Sequence, residues 1–375
     1  MDVIVVGAGI GGLALARGLI ADGHRVRVLE SAPEPRTGGA AVTIYSNGAA
    51  ALAGLGAPLP DGVGGRIERL DFRDSAGAVT FRVDMRVMTA RTGYPVTTVP
   101  RARLLAHLAG GLPDGVIGYD RAIEKATPDG SVIDRHGEIH RADVVIGADG
   151  YRSAVRRSTI GGVATRVGWT SWQGLTAVLP ELAAGATGLL LVGDAGLVGL
   201  MPAGDGLLQW WFDVEGELGG ASPVDGLRRR FGRYAPPVPA LLDLISDRDL
   251  GRFPHVLHDI PDAWGSGATT LLGDAAHVFP PSQAQGANQA LEDAWLLRRA
   301  LSEERDAVAR LRSYERLRAV RARRVAKMAA SESTNRPPGA LTRFAVRLIP
   351  ASMTARAYTS LIRRFSSVLA DERIG

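Results

Sequence analysis

The chain contains no cysteine and very little lysine. None of its 375 residues is cysteine, and only Lys125 and Lys327 are lysines among 44 basic residues. The absence of cysteine excludes disulfide bonds, thiolate metal sites and a cysteine nucleophile. It is also typical of proteins that work in a reducing compartment, so we expect a cytoplasmic protein.

Long apolar runs are missing as well. The longest, residues 189–201, is interrupted by Asp194 and three glycines, and it falls short of the ~20 residues that span a bilayer. The net charge of +5 comes from arginines, without the aromatic residues or modules typical of nucleic-acid binding. We therefore expect no stable membrane insertion and no nucleic-acid partner. Because the first predicted strand begins at once, we also expect no targeting segment.

The first 30 residues have the pattern of a nucleotide-binding unit. Residues 3–6 are a β-branched run suited to a buried strand, and Gly7, Gly9 and Gly12 follow it before a helical stretch. Gly7 permits a tight turn, Gly9 lets backbone approach a pyrophosphate, and Gly12 lets helix pack closely on strand. Glu30 ends the second strand, where a carboxylate binds a ribose diol. The alternative is a βαβ unit that tolerates glycine and binds nothing.

Two further acids follow buried strands later in the chain. Asp149 follows a stretch, 142–148, that is apolar apart from Asp143, and Asp274 follows the predicted buried strand at 269–272. The carboxyl ends of parallel strands are where an α/β sheet places its ligand contacts. For Asp149 a helix-capping role explains the position equally well.

Residues 165–265 differ in character from the rest. Five of the six tryptophans lie there, among short strands separated by glycine turns. The pattern predicts a mostly antiparallel sheet inserted into an α/β frame, with one aromatic face that walls an apolar ligand. Trp210 and Trp211 must point to opposite faces if they share a strand. We predict that Trp172, Gln209 and Trp211 line the substrate pocket.

These patterns predict three structural units. We assign 1–66, 98–164 and 266–335 to a discontinuous Rossmann-like nucleotide-binding domain, 67–97 and 165–265 to a substrate-binding sheet domain, and 336–375 to a helical tail. Asn47 is expected to cap a helix that ends near Leu55. The basic tail can lie on a membrane surface, on a partner subunit or on the body of the chain, and we favour the body.

Three signatures now stand in order: Gly7-x-Gly9-x-x-Gly12 with Glu30, then Asp149-Gly150, then Gly273-Asp274. Together they resemble those of the single-component FAD-dependent aromatic monooxygenases, the para-hydroxybenzoate hydroxylase-like family. The resemblance extends over nearly the whole chain. It implies an α/β, Rossmann-like FAD-binding domain with an inserted, mostly antiparallel substrate domain and a C-terminal helical tail.

The resemblance also implies which residues contact FAD. They are Gly7, Gly9, Gly12 and Glu30 for the ADP half, Arg101 for the flavin side, Asp149 for the second motif, Asp274 for the ribitol, and the amides of Gly286, Ala287 and Asn288 for the pyrimidine edge of the flavin. The family commonly has glycine where this chain has Ala284. If that position needs a positive φ, alanine is strained there.

The activity implied by the resemblance is insertion of one oxygen atom of O2 into an aromatic or otherwise electron-rich small molecule. NADPH or NADH would act as a transient reductant of FAD, and oxygen transfer would pass through a flavin C4a-hydroperoxide. The arginine- and glycine-rich composition suits natural-product tailoring as a setting. We assign no catalytic residue: Asp205, Asp213, His255 and His258 stand in no motif, and His277 is interpreted as holding its loop.

Two alternatives remain open from the sequence. The first is a related flavoenzyme that inserts no oxygen, such as a reductase; a halogenase ranks below it, because neither lysine stands in a halogenase motif. The second is a non-enzymatic FAD or NAD sensor that binds partners through its basic tail.

Overall fold

The computed structural model describes residues 1–35, 38–302, 306–337, 339 and 349–371. Its strands are β1 Asp2–Val6, β2 Arg25–Leu29, β3 Ala41–Ile44, β4 Gly65–Ile67, β5 Arg69–Asp74, β6 Val79–Asp84, β7 Val96–Pro100, β8 Ile117–Gly118, β9 Ile123–Ala126, β10 Ser131–Asp134, β11 Ile139–Arg141, β12 Val144–Gly147, β13 Thr165–Thr176, β14 Thr187–Gly193, β15 Gly196–Pro202, β16 Leu208–Glu215, β17 Gly251–Leu257 and β18 Thr269–Leu271. Its α-helices are α1 Ile10–Ala21, α2 Ser46–Gly54, α3 Met85–Thr92, α4 Arg101–Ala109, α5 Ala154–Thr159, α6 Pro180–Ala183, α7 Pro223–Phe231, α8 Val238–Leu244, α9 Asp274–His277, α10 Gly286–Leu301, α11 Ala307–Ala330 and α12 Ala351–Phe365.

A parallel five-stranded sheet forms the centre of the α/β part, in the order β18-β12-β1-β2-β8. The β-branched run of β1 is buried, and it belongs to one apolar core with residues of α1 and α10. Strand, glycine turn, helix and strand follow one another as predicted, so the Rossmann-like fold is confirmed.

The inserted part is built on a seven-stranded sheet in the order β17-β13-β16-β15-β14-β5-β6. All its pairs are antiparallel except β14 with β5, so the prediction of a mostly antiparallel sheet is confirmed. The register places Trp172 opposite Phe212 and Gln173 opposite Trp211. Directly opposed residues share a face, and neighbours along a strand do not. Trp210 and Trp211 therefore point to opposite faces, as predicted.

The two faces of this sheet have different neighbours. The face that carries Trp210 and Phe212 packs on α7 and α8, and we call it the helix face. The other face carries Leu190, Met201 and Trp211, and it packs against residues of α12 and the segment before α2. We call this second surface the inner face. It is turned toward the α/β part of the chain, because the Gln209 side chain donates to the Ala41 carbonyl of β3.

The tail packs on the body of the chain where it is described. Ala355, Ile362 and Phe365 of α12 are buried, and the carboxylate of Glu292 on α10 accepts from the backbone amides of residues 367 and 368. The predictions for residues 36–37, 303–305, 338, 340–348 and 372–375 lie outside the described part. In the helices that are described, none is long and apolar enough to cross a membrane.

Two local predictions are wrong. Asn47 does not cap α2, because the helix begins one residue earlier, with Tyr45 at the N-cap position; the Asn47 amide instead donates to Gln285. Trp264 does not belong to the inserted sheet. It is buried in the core of the α/β part, with its ring 5.3 Å from that of His277 and 5.7 Å from that of Tyr314.

Candidate functional site

The glycines of the first turn are required for different reasons. Gly7 has φ +105, and a Cβ there would lie 2.5 Å from the Ala148 carbonyl oxygen. A Cβ on Gly12 would lie 2.2 Å from the Gly7 oxygen. Gly9 has an ordinary φ of −79, and the nearest atom to its Cβ position is 4.0 Å away. The protein needs glycine at 7 and 12 for its own packing, whereas glycine at 9 leaves open space at the start of α1.

Glu30 closes this turn from the second strand. Its side chain is buried, with one carboxylate oxygen 2.7 Å from the Ala8 amide and the other 2.9 Å from the Ala32 amide. The structure therefore brings Glu30 to the glycine turn and orients it with backbone donors. Its contact with a ribose stays a prediction.

Asp149 lies at the end of β12, against the same turn. Its carboxylate accepts from Ser153 Oγ at 2.5 Å and from the Ala154 amide at 2.7 Å, at the start of α5. Burial raises the pKa of this carboxyl, and these donors act in the opposite direction. The geometry is that of the helix-capping alternative. The predicted cofactor contact of Asp149 stays a prediction.

Asp274 lies at the start of α9, after Gly273 with φ +59. Its side chain is exposed to solvent, yet the surrounding protein raises its pKa, against the lowering effect of His277 and Arg101. Among the described residues none donates a hydrogen bond to its side chain, and Arg101, at the first position of α4, provides positive charge nearby.

A buried charge network holds the Gly273 turn in place. Asp293 on α10 accepts from the Gly273 amide at 2.7 Å, from His277 Nε2 at 2.6 Å and from Arg318 Nε at 2.6 Å. Burial acts to raise the pKa of Asp293, but His277 and Arg318 hold it at about 2. This agrees with the interpretation of His277 as a loop-holding residue. Sequence reasoning missed Asp293 and Arg318, which only the packing of α10 against α11 brings together.

The start of α10 resembles the start of α1 in one respect. No atom of the described residues lies within 4 Å of a Cβ built on Gly286, so their packing does not require glycine there. The Asn288 side chain is fully buried, accepting from the Tyr45 amide and donating to the carbonyls of Thr43 and Ala284. Asn288 therefore has only its backbone amide to offer a ligand, together with the amides of Gly286 and Ala287. Ala284 has φ +50, the strained conformation predicted for it.

The structure brings together only two of the three predicted pocket residues. Gln209 and Trp211 share the inner face of the sheet, whereas Trp172 lies opposite Phe212 on the helix face. A cavity bounded by the inner face cannot include Trp172, whose ring contacts Arg252 instead. The prediction of one shared pocket is corrected in this respect.

Two of the residues left out of the motifs form a second buried network. His255 Nδ1 lies 2.7 Å from Glu332 Oε1, and His255 Nε2 lies 2.8 Å from Ser171 Oγ, which donates to Asp213. Burial acts to lower the pKa of His255, but the two carboxylates raise it to about 9. Residues so far apart in sequence gave no signal of this network.

His258 and Asp205, the other two residues that stand in no motif, lie outside this network. His258 is buried with neither ring nitrogen partnered among the described residues, and burial lowers its pKa to about 4. Asp205 is exposed and pairs with Arg103 at 2.6 Å. Neither arrangement singles out a catalytic group.

Two family models and several known proteins match this chain. A family model described as an FAD binding domain matches residues 252–329, and one described as an NAD(P)-binding Rossmann-like domain matches residues 5–59. The FAD-dependent urate hydroxylase of Klebsiella pneumoniae subsp. pneumoniae is 32% identical over 336 residues, covering 86% of this chain and 87% of the relative.

Two further relatives are similar over comparable lengths. The aurachin C monooxygenase/isomerase of Stigmatella aurantiaca is 31% identical, covering 86% of each chain. The crystal structure of HpxO of Klebsiella pneumoniae complexed with FAD and uric acid has a TM-score of 0.81 at 28% identity, covering 99% of this chain and 95% of that one.

Proposed function

The chain belongs to the FAD-dependent monooxygenases and hydroxylases of aromatic compounds, and from this membership we propose that it inserts one oxygen atom of O2 into a small aromatic or otherwise electron-rich molecule. NADPH or NADH would supply the electrons. FAD is the cofactor that the matched domain binds. Natural-product tailoring is the setting we propose for the reaction, and the cytoplasm is its location.

One observation supports the proposal most strongly. Gly9 and Gly286 each stand at the start of a long helix, and each leaves a space that the chain itself does not fill. Helix starts present free amides and positive potential, which suit a pyrophosphate at α1 and an electron-rich flavin edge at α10. Asp274 is exposed at the start of α9, and its carboxylate suits ribitol hydroxyls. The residues present therefore fit FAD.

We propose that the predicted FAD contacts hold. They are Gly7, Gly9, Gly12 and Glu30 for the ADP half, Arg101 for the flavin side, Asp149 for the second motif, Asp274 for the ribitol, and the amides of Gly286, Ala287 and Asn288 for the pyrimidine edge of the flavin. The same proposal divides the chain into three units. Residues 1–66, 98–164 and 266–335 form the FAD-binding domain, residues 67–97 and 165–265 form the substrate-binding domain, and residues 336–375 form the tail.

The chemistry is the cofactor's: reduced FAD activates O2 for transfer of one oxygen atom, and the second leaves as water. The protein contributes orientation and shielding. The amides and dipole of α10 stabilise negative charge on the flavin edge beside them. The inner face, with Leu190, Met201 and Trp211, excludes water from the reacting groups. Asp293 fixes the Gly273 turn that carries Asp274.

The test is to purify the holoenzyme and measure NADPH and NADH oxidation with a panel of phenols and N-heteroaromatics under ¹⁸O2. We expect a yellow protein, substrate-stimulated oxidation and a product with one labelled oxygen. Stimulated oxidation without label in the product would identify a reductase. A protein that stays colourless after incubation with FAD at micromolar concentration would contradict the proposal altogether.

A further inference from the structure

The buried side-chain oxygen of Gln209 has no hydrogen-bond donor among the residues that the structure describes. We propose that this side chain determines specificity: its Oε1 accepts a hydrogen bond from an N–H or O–H group of an uncharged aromatic substrate. This inference rests on the proposed function, and it adds the substrate class.

The orientation of the Gln209 amide follows from its one hydrogen bond. Nε2 donates to the Ala41 carbonyl at 2.9 Å, so the oxygen must point elsewhere. The residue is 7% exposed, and Oε1 has no partner within the described part of the chain. A buried acceptor without a donor is unfavourable. A donor supplied by a ligand would remove that cost.

Gln209 lies where the sheet meets the α/β part. It is two residues from Trp211 on β16, so both side chains belong to the inner face. Ala41 opens β3, and the neighbouring Ala40 carbonyl accepts from the Arg101 amide at the start of α4. The unpartnered oxygen is therefore beside a segment that we assign to cofactor binding, on the face that we assign to the substrate.

The sheet side of the site favours an uncharged ring, since Arg101, the cation beside Ala41, is assigned to FAD. On the inner face of β14, β15 and β16, the described side chains between Gly188 and Asp213 include no lysine or arginine. The neighbours of Gln209 across the strands are Met201 and Leu175. The single acid there, Asp213, is engaged by Ser171. A carboxylate substrate needs a cation or several donors when it is buried, and this face offers it an acceptor instead.

The experiment uses the holoenzyme and three related probes: 4-hydroxyquinoline, 4-methoxyquinoline and 4-hydroxyquinoline-2-carboxylate. Dissociation constants are measured from the change in flavin absorbance. We expect the hydroxy compound to bind about tenfold more tightly than the ether, which lacks the donor, and the carboxylate to bind most weakly. In Gln209→Met the hydroxy and methoxy compounds should bind equally well.

A matched control is Gln173→Met. Gln173 is the same residue type on the same face, opposite Trp211, but it has no buried unpartnered atom. This variant should keep the preference for the hydroxy compound. Gln209→Met also removes the hydrogen bond to the Ala41 carbonyl. That loss affects the binding of both probes alike, so it cancels in the ratio of their two affinities within one variant.

Three results would overturn the inference. The first is that the carboxylate binds most tightly, and the second is that Gln209→Met keeps the same ratio of affinities for the hydroxy and methoxy compounds. The third is that Gln209→Met loses affinity for FAD but keeps its affinity for the substrate probes, which would make FAD the donor. Failure of the proposed function is distinct, since it shows as absent FAD or absent flavin reduction in the unmodified enzyme.

Discussion

At the scale of single residues, glycine has two separate purposes in the turn after β1. Replacing Gly9 by alanine should leave the apoprotein within about 1 kcal/mol of its original stability, because the added Cβ meets no protein atom closer than 4.0 Å. The same change should weaken FAD binding at least about tenfold, since the Cβ takes space beside the pyrophosphate. Thermal unfolding of the apoprotein and titration with FAD measure the two effects.

Gly12→Ala is the control for Gly9→Ala. Its Cβ would lie 2.2 Å from the Gly7 oxygen, so the turn must distort and the apoprotein itself should lose several kcal/mol of stability. If Gly9→Ala binds FAD as tightly as the unmodified protein, our assignment of the pyrophosphate to this turn is wrong.

His255 is a residue whose charge depends on folding. Its pKa rises from 6.5 to about 9 in the folded protein, so its contribution to stability is full below pH 6.5 and is lost as pH rises through about 9. We expect His255→Gln to lower the free energy of unfolding by on the order of 1–3 kcal/mol at pH 6. The difference in free energy of unfolding between the unmodified protein and His255→Gln should be smaller at pH 10.

Urea unfolding at a series of pH values, with FAD saturating, tests this dependence. The exposed histidine of the β10–β11 turn provides the control, because His136→Gln should leave the pH profile unchanged. A His255→Gln difference that is constant from pH 6 to pH 10 would show that the histidine is not held in its charged form.

At the scale of elements, the alternation of β13 and β16 decides which tryptophan faces the substrate. Trp211→Leu should reduce the fraction of NADPH oxidation that yields product by several-fold, because the inner face then admits water and positions the ring less well. Trp172→Leu removes the same side chain from the opposite face. It should leave this fraction unchanged.

The ratio of hydrogen peroxide to product measures the effect in both variants. Near-equal uncoupling in the two would contradict the assignment of the inner face to the substrate. A change confined to Trp172→Leu would assign the substrate to the helix face instead.

At the scale of the whole molecule, a buried carboxylate is among the groups that join the tail to the body. Glu292 Oε2 accepts from the amides of Ser367 and Val368, and burial raises the pKa of Glu292. Glu292→Ala leaves both amides unsatisfied, so we expect a loss of about 1–3 kcal/mol. Amide exchange in α12 should become much faster while that of β1 changes little.

Hydrogen-exchange mass spectrometry makes this comparison within one sample. Glu292→Gln keeps an acceptor at the same place and should restore most of the protection. Unchanged exchange in α12 of Glu292→Ala would show that the other contacts of the tail, such as the packing of Ala355 and Ile362 and the bond from Gln289 to the Phe365 carbonyl, hold it without Glu292.

How much the sequence predicts depends on how local the interaction is. The order of strand, glycine turn and helix, and the opposite faces of Trp210 and Trp211, follow from backbone geometry over a few residues. The capping of α2 was assigned to Asn47 wrongly, because the buried contact with Gln285 outweighs its local tendency to cap. Trp172 could not be placed on a face until the register of β13 against β16 was known.

The sequence by itself determined the nucleotide-binding unit, the resemblance to a flavoenzyme family and the presence of an inserted sheet, since these are written in short-range patterns of glycine, apolar and acidic residues. Only the tertiary structure decided which side of that sheet faces the α/β part, that Asp293 holds the Gly273 turn, and that His255 joins Asp213 to Glu332. The physical reason is that burial and charge pairing arise between segments far apart in the chain, and no local pattern records which of them meet.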